Sequence, residues 1–246
     1  MTPSRNKLVA LMAAMVAVAA LTTGCSDDAG HASAALPDLK AALPPATEHP
    51  EGSQVLATMP MYEAVARAMP GTGEPSGVVV MPRCVSYFAA LGGLDKLDGW
   101  YQWGTRANGA LFIMFVTRSP RPNAVELIRD RVAVCNKGYQ TIQGWPPSAT
   151  DKGEIVSSTL AFNERKVPDV ANATAFGVTQ LITFNDPKNG LVKFIRSAWQ
   201  CPDAPCKSFD SMISKDNLFV WVHEGSTEEQ ADKLAKSLFD RAVALK

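Results

Sequence analysis

Three zones follow one another along the chain when apolar and polar positions are marked. Residues Leu8 to Leu21, "LVALMAAMVAVAAL", are apolar without interruption. Residues 26–54 are Ala, Pro and small polar side chains with no aromatic. From Val55 to Lys246, short apolar runs alternate with turn residues, as in a packed domain, and this length suffices for one core. Within that domain, "STEEQADKLAKSLFDRAVAL" repeats apolar positions at Ala231, Leu234, Ala235, Leu238, Phe239 and Ala242. Spacings of three and four predict an amphipathic helix, and Ser226 with Glu229 has the spacing of a capping box at its start. A second helix is predicted in "PNAVELIRDRVAVC", and shorter ones in "PMYEAVARAM" and "CVSYFAALGG". Strands are predicted in "GVVVM", "ALFIMFVT", "GEIVSSTLAF", "FGVTQLITF", "LVKFIRSAW" and "NLFVWVHE", which are β-branched or aromatic and bounded by turn residues. The order of these elements is not a regular strand–helix alternation. An α+β fold is therefore expected, with a mainly antiparallel sheet and helices packed mostly on one face.

The first zone is too short to cross a bilayer as a helix, which needs about 20 apolar residues, and matches the apolar part of an export signal. Arg5 and Lys7 supply the positive end that precedes such a segment, and "LTTGC" closes it, with Cys25 after Gly24. This run resembles a bacterial lipobox, departing from it in carrying Thr22 where leucine is usual. The resemblance implies a signal peptide over residues 1–24, cleavage after Gly24 and acylation of Cys25. Two or more acyl chains give stable anchoring at about 0.8 kcal/mol per buried methylene. The expected location is the extracytoplasmic face of the cell membrane, with residues 25–54 as a lipidated, flexible linker and 55–246 as the single domain. His31 and His49 fall in that linker and are expected to be solvated.

The chain holds 24 basic and 24 acidic residues, and loss of Arg5 and Lys7 with the signal leaves 22 against 24, a net charge of −2. That balance argues against nucleic acid, which demands clustered positive charge. Beyond Cys25 there are four cysteines, an even number in an exported protein, which reads as two disulfides with three possible connectivities. The pairing expected is Cys84 with Cys135 and Cys201 with Cys206. A metal site is not expected at Cys201 and Cys206, because two prolines stiffen the intervening loop and no histidine is near. No cofactor is expected.

Candidate chemistry is sparse. "GTGEPSG" at 71–77 precedes a strand instead of opening a helix, so it lacks the context of a phosphate loop. His223 is the domain's sole histidine after residue 55 and stands beside Glu224 at a strand end, where a surface or packing role is the plainer reading. An exported hydrolase would depend on this one base. "GWYQWGTR" is more suggestive: Tyr101 and Trp103 share one face of a strand, Trp100 lies on the other, and Arg106 follows. Those aromatics either belong to the core or line an apolar groove for an acyl chain or aromatic ligand with Arg106 at its mouth.

The order of features is similar to that of the extracytoplasmic sensor-like domain of actinobacterial serine/threonine kinases, which recurs in free-standing actinobacterial lipoproteins. The features are a cysteine opening a short helix ("PRCVSYFAAL"), a tryptophan strand ("GWYQW"), a strand feeding a helix that ends in cysteine ("LFIMFVTRSPRPNAVELIRDRVAVC"), a second cysteine pair and a closing helix. The second pair departs from that pattern, being four residues apart where the family places a strand between. The resemblance implies a disulfide-bonded α+β domain that binds a ligand in a cleft without catalysis. The expectation is thus a lipid-anchored surface protein that binds a small molecule, a lipid or an envelope protein. The alternatives are a structural or adhesive envelope lipoprotein and an exported hydrolase.

Overall fold

A computed structural model describes residues 38–68, 78–80, 90–92, 97–135, 139–143, 155–190, 192–193, 196, 201 and 205–245. Among the described residues, nine strands form one wholly antiparallel sheet: β1 (Gln54–Pro60), β2 (Val78–Val80), β3 (Asp98–Thr105), β4 (Leu111–Arg118), β5 (Tyr139–Gln143), β6 (Ile155–Arg165), β7 (Thr174–Phe184), β8 (Cys206–Lys215) and β9 (Leu218–Glu224). Their order across the sheet is β1-β3-β4-β9-β8-β7-β6-β5-β2. Strands β5 to β9 are a meander, and β9 closes on β4 instead of continuing outward. The helices are α1 (Met61–Ala68), α2 (Ala124–Cys135) and α3 (Glu228–Ala244). Among the described residues, no helix is long and apolar enough to cross a membrane.

The α+β class and the antiparallel sheet are as the pattern predicts; of the three helices described, α1 and α2 share one face and α3 covers the other. Strand β4 shows why. Leu111, Ile113 and Phe115 join Val125, Ile128 and Val132 of α2 and Met61 and Ala64 of α1 in one core. Phe112, Met114 and Val116 point the other way and meet Ala235, Leu238, Phe239 and Ala242 of α3. A strand apolar at every position, such as "LFIMFV", is the mark of a sheet covered on both sides. Phe219 and Trp221 on β9 alternate with Val220 and Val222 in the same way. Burying Leu238 and Phe239 alone stabilises α3 on its face by about 1.5–3 kcal/mol each.

Local signals explain the ends of the helices. Thr227, not Ser226, is the N-cap of α3, its hydroxyl accepting from the Gln230 amide at 3.2 Å. Ser226 instead donates to Glu224 and Gln230 side chains. The start of α2 borrows its cap from the sheet: Ser214 Oγ on β8 accepts from the Val125 amide at 3.3 Å, after Asn123 turns the chain with φ 57°. In "LVKFIRSAW" the described residues 192, 193 and 196 are helical, where a strand is predicted. Asn189 decides this, its side chain accepting from Val192 N and its carbonyl from Lys193 N, the bonds that start a helical turn.

Cys201 and Cys206 form the expected disulfide. The Cys84–Cys135 pairing lies outside the described residues, as do Cys25, His31 and the segment before Asp38. From Asp38 onward, the stretch expected to be flexible linker is packed: Leu39, Ala42 and Leu43 lie in the α3-side core, and His49 is buried. The packed part thus begins at Asp38, 17 residues before the composition change at Val55, because Leu39, Ala42 and Leu43 fill a groove that aromatic content alone does not reveal.

Candidate functional site

The aromatic strand does not line a groove. Tyr101 and Trp103 do share a face, but each is only 7 % exposed and both sit in the α2-side core with Met59, Ile113 and Phe115. Burial raises the Tyr101 phenol pKa, so the ring behaves as a packed apolar group. Trp100 lies on the α3 side, with Lys40 Nζ 4.8 Å from its ring centre. Arg106 is also on that side, separated from Tyr101 and Trp103 by the sheet itself. It packs 4.1 Å over Phe112 and forms an ion pair with Glu224, a carboxylate with no exposed surface. Its Nε donates to Glu224 Oε2 at 2.9 Å, and Nη2 donates to the same oxygen. The expected groove mouth is therefore a buried structural pair, since one residue of register along a strand exchanges the faces.

An opening among the described residues is charged. A groove of about 520 Å³ lies between α2 and the loop joining β6 to β7, lined by Arg129, Glu164, Arg165, Lys166, Asp169 and Phe176 among others. Arg129 reaches it from α2, with its guanidinium 4.9 Å over the Phe176 ring and Nη2 donating to the Ala175 carbonyl at 3.4 Å. Its Nε is 3.6 Å from Glu164 Oε1, an ionic contact too long for a hydrogen bond.

Arg165, at the end of β6, borders the groove but turns its side chain to the α3 side of the sheet, where it is 7 % exposed. It lies across Gly177, where an added Cβ would stand 2.7 Å from Arg165 Cγ and 2.9 Å from its Cζ. From there Nη1 donates to Asp232 Oδ1 of α3 at 2.7 Å, and Nη2 donates to the Asp210 carbonyl at 3.0 Å and to Ser211 Oγ. Both Arg129 Nε and Arg165 Nε are buried without a hydrogen-bond partner. A buried donor in that condition costs roughly 1–3 kcal/mol. Lys166 and Asp169 form the exposed rim.

A second cluster stands on the α2 side of β8 and β9. His223 Nδ1 donates to Asp210 Oδ1 at 2.8 Å, and Gln180 Nε2 donates to Asp210 Oδ2. Asp210 has no exposed surface while His223 is 19 % exposed, and the imidazole lies beside the Trp221 ring at 5.7 Å. The carboxylate fixes the proton on Nδ1 and leaves Nε2 as the free ring nitrogen. His223 is thus held by a buried partner that the strand-end reading did not foresee. No serine or cysteine side chain is hydrogen-bonded to Nε2 among the described residues. Nor, among them, do three His, Cys, Asp or Glu side chains gather to hold a metal ion.

Sequence reasoning missed Asp210, Gln180, Arg129 and Arg165 because their partners lie 13 to 67 residues away. The one available signal was Asp210 within "SFDSMIS", a carboxylate midway along a strand whose neighbours are buried.

No family model matches the chain, and no curated protein matches it. Among solved structures it is similar to a putative uncharacterized protein from Mycobacterium smegmatis, described as the Rv0999 ortholog. The identity is 13 %, the match covers 84 % of this chain and 97 % of that one, and the TM-score is 0.42. A likeness of that extent bears on neither ligand nor activity.

Proposed function

We propose that the protein is a lipid-anchored, extracytoplasmic binding protein whose domain takes an anionic ligand or partner in the α2–β6/β7 groove without chemical turnover. The observation that carries this reading is the Arg129 guanidinium, whose Nε has no hydrogen-bond acceptor, in a groove whose rim adds the Lys166 ammonium. A carboxylate or phosphate oxygen is the acceptor such a donor lacks, and a planar guanidinium meets it with fixed geometry. Anchoring through Cys25 rests on the lipobox-like run and the apolar segment before it. The acyl-chain ligand that an aromatic groove suggested is replaced here by a charged one, because the aromatic rings are core.

The test is native mass spectrometry of protein isolated from its own envelope, together with phosphate and succinate titrations followed by amide NMR shifts. Saturable shifts confined to residues of the groove, lost in Arg129→Ala/Lys166→Ala, support the reading; their absence with both probes and no retained small molecule removes it. A hydrolase has one observation in its favour, the His223–Asp210 pair. A measurable turnover lost in His223→Ala and kept in Arg129→Ala would establish that reading instead.

A further inference from the structure

Residues 38–53 precede β1 and run back along the α3 side of the sheet. The segment starts beside Trp100, where Lys40 sits over the ring, and ends at Arg106 and Glu224 at the opposite end of β3 and β9. Two short 3-10 turns, Leu39–Ala42 and Ala46–Glu48, carry it across. Leu39, Ala42 and Leu43 fill the apolar groove between the sheet and α3, and Glu48 pairs with Arg241 of α3. The far end is held by His49.

The hydrogen bonds around His49 fix its protonation. Gln102 Nε2 donates to the Pro44 carbonyl at 3.2 Å and to Thr58 Oγ1 at 3.1 Å, so Gln102 Oε1 must face His49 as an acceptor. His49 Nε2, 3.0 Å from that oxygen, therefore carries the proton. Nδ1 lies 3.3 Å from Arg106 Nη1, which can only donate, so Nδ1 is the bare nitrogen and the ring is neutral. The imidazole also stacks on Phe112 at 4.7 Å. A Cβ at Gly104 would stand 2.7 Å from the Phe112 ring, so only glycine leaves that ring flat against the strand.

We propose that residues 38–53 are an acid-releasable strap, pinned by neutral His49 and freed when its Nδ1 takes a proton. The added N–H would face the Arg106 N–H at 3.3 Å, turning an accepted bond into a contact between two donors on two cations. The other groups around the ring are Gln102 and Thr58 on β3 and β1, Ser53 on the strap, Glu224 on β9, and the Glu48–Arg241 pair toward α3. Glu224 is the carboxylate that favours an imidazolium, but its Oε2 already accepts twice from Arg106 and its Oε1 takes the Ser226 amide and hydroxyl. Burial first, and then Arg106, lower the His49 pKa below its ordinary 6.5, against raising contributions from Gln102, the Pro44 carbonyl and Glu224.

The released segment binds the proton more tightly than the strapped one, so strapping is at full strength above pH 6.5 and weakens as the pH falls below it. Between pH 7.5 and 5.0 the closed-to-open ratio falls by up to about 30-fold, the limit for a strapped imidazole that stays neutral throughout. On the lipid-anchor reading, release has a mechanical consequence. The chain from Cys25 to the first packed residue spans at most about 45 Å while the strap is seated at Asp38, and about 100 Å once it is free as far as Gln54.

Hydrogen exchange of the whole Cys25→Ser protein at pH 7.5 and 5.0, corrected for intrinsic rates, tests the strap apart from the anchor. Amides of residues 39–49 are expected to lose protection by ten- to thirty-fold at the lower pH, with β4 and β9 unchanged. The midpoint should coincide with the titration of the His49 ring protons read by NMR. In His49→Gln the pH response should vanish, whether the strap then sits closed or open at both values. Equal protection at pH 7.5 and 5.0, a midpoint below about 4.5 where carboxylates titrate, or a response that persists in His49→Gln would each overturn the proposal. None of these outcomes depends on whether Cys25 is acylated, which membrane fractionation decides separately.

Discussion

Replacing Arg106 by methionine distinguishes a structural ion pair from a ligand contact. Arg106 supplies two of the hydrogen bonds to Glu224 Oε2, and Glu224 is fully buried, so the variant leaves a carboxylate with half its partners gone. Oε1 keeps the Ser226 amide at 3.2 Å and its hydroxyl at 2.7 Å. Removing one member of a buried pair costs 3–5 kcal/mol, and the surviving Oε1 bonds place this case at the lower end, about 3 kcal/mol. For a domain of roughly 200 residues that is a fall in Tm of about 6–12 °C. The double variant Arg106→Met/Glu224→Leu, with no charge left to strand, should recover most of the loss, because well-packed apolar replacements of buried pairs are close to neutral. Differential scanning calorimetry of the three proteins at pH 7.5 is the assay. If Arg106→Met melts within about 2 °C of the parent while anion binding fails, Arg106 faces a ligand and the buried-pair argument is wrong.

Trp103→Ala should cost about 3–5 kcal/mol, the cavity left by a core ring, and leave groove-bound anion unaffected; an unchanged melt would return Trp103 to the surface. His223→Ala should destabilise by about 1–3 kcal/mol through the hydrogen bond withdrawn from buried Asp210, in contrast to the negligible change expected of a solvated strand-end residue. Cys25→Ser should move the protein from the detergent phase to the soluble exported fraction, and unaltered partitioning would refute the anchor. Non-reducing peptide mapping should recover Cys201 joined to Cys206 and Cys84 joined to Cys135; a peptide linking Cys84 to Cys201 would show the second pairing wrong.

Local pattern alone determined much of this protein. The periodic face of α3, the antiparallel class and the Cys201–Cys206 bridge were legible from neighbouring residues, because short-range physics governs them. Coverage of both faces was also written in "LFIMFV" and "LFVWV", where every position is apolar, while the arrangement of elements pointed to helices mostly on one face. Tertiary structure alone decided the rest. Strand β8 carries Asp210, Ser211 and Ser214 in buried positions, and reads as polar until His223, Arg165 and the α2 amide arrive from elsewhere to satisfy them. Arg106 falls on one side or the other of the sheet by a single residue of register, and only its pairing with Glu224, 118 positions later, shows which. His49 reads as linker for the same reason: its five neighbours in the network come from β1, β3 and β9 as well as from the strap, and no periodicity within residues 38–53 announces them. Buried polar groups are specified by partners distant in sequence, whereas apolar periodicity is specified by the element itself.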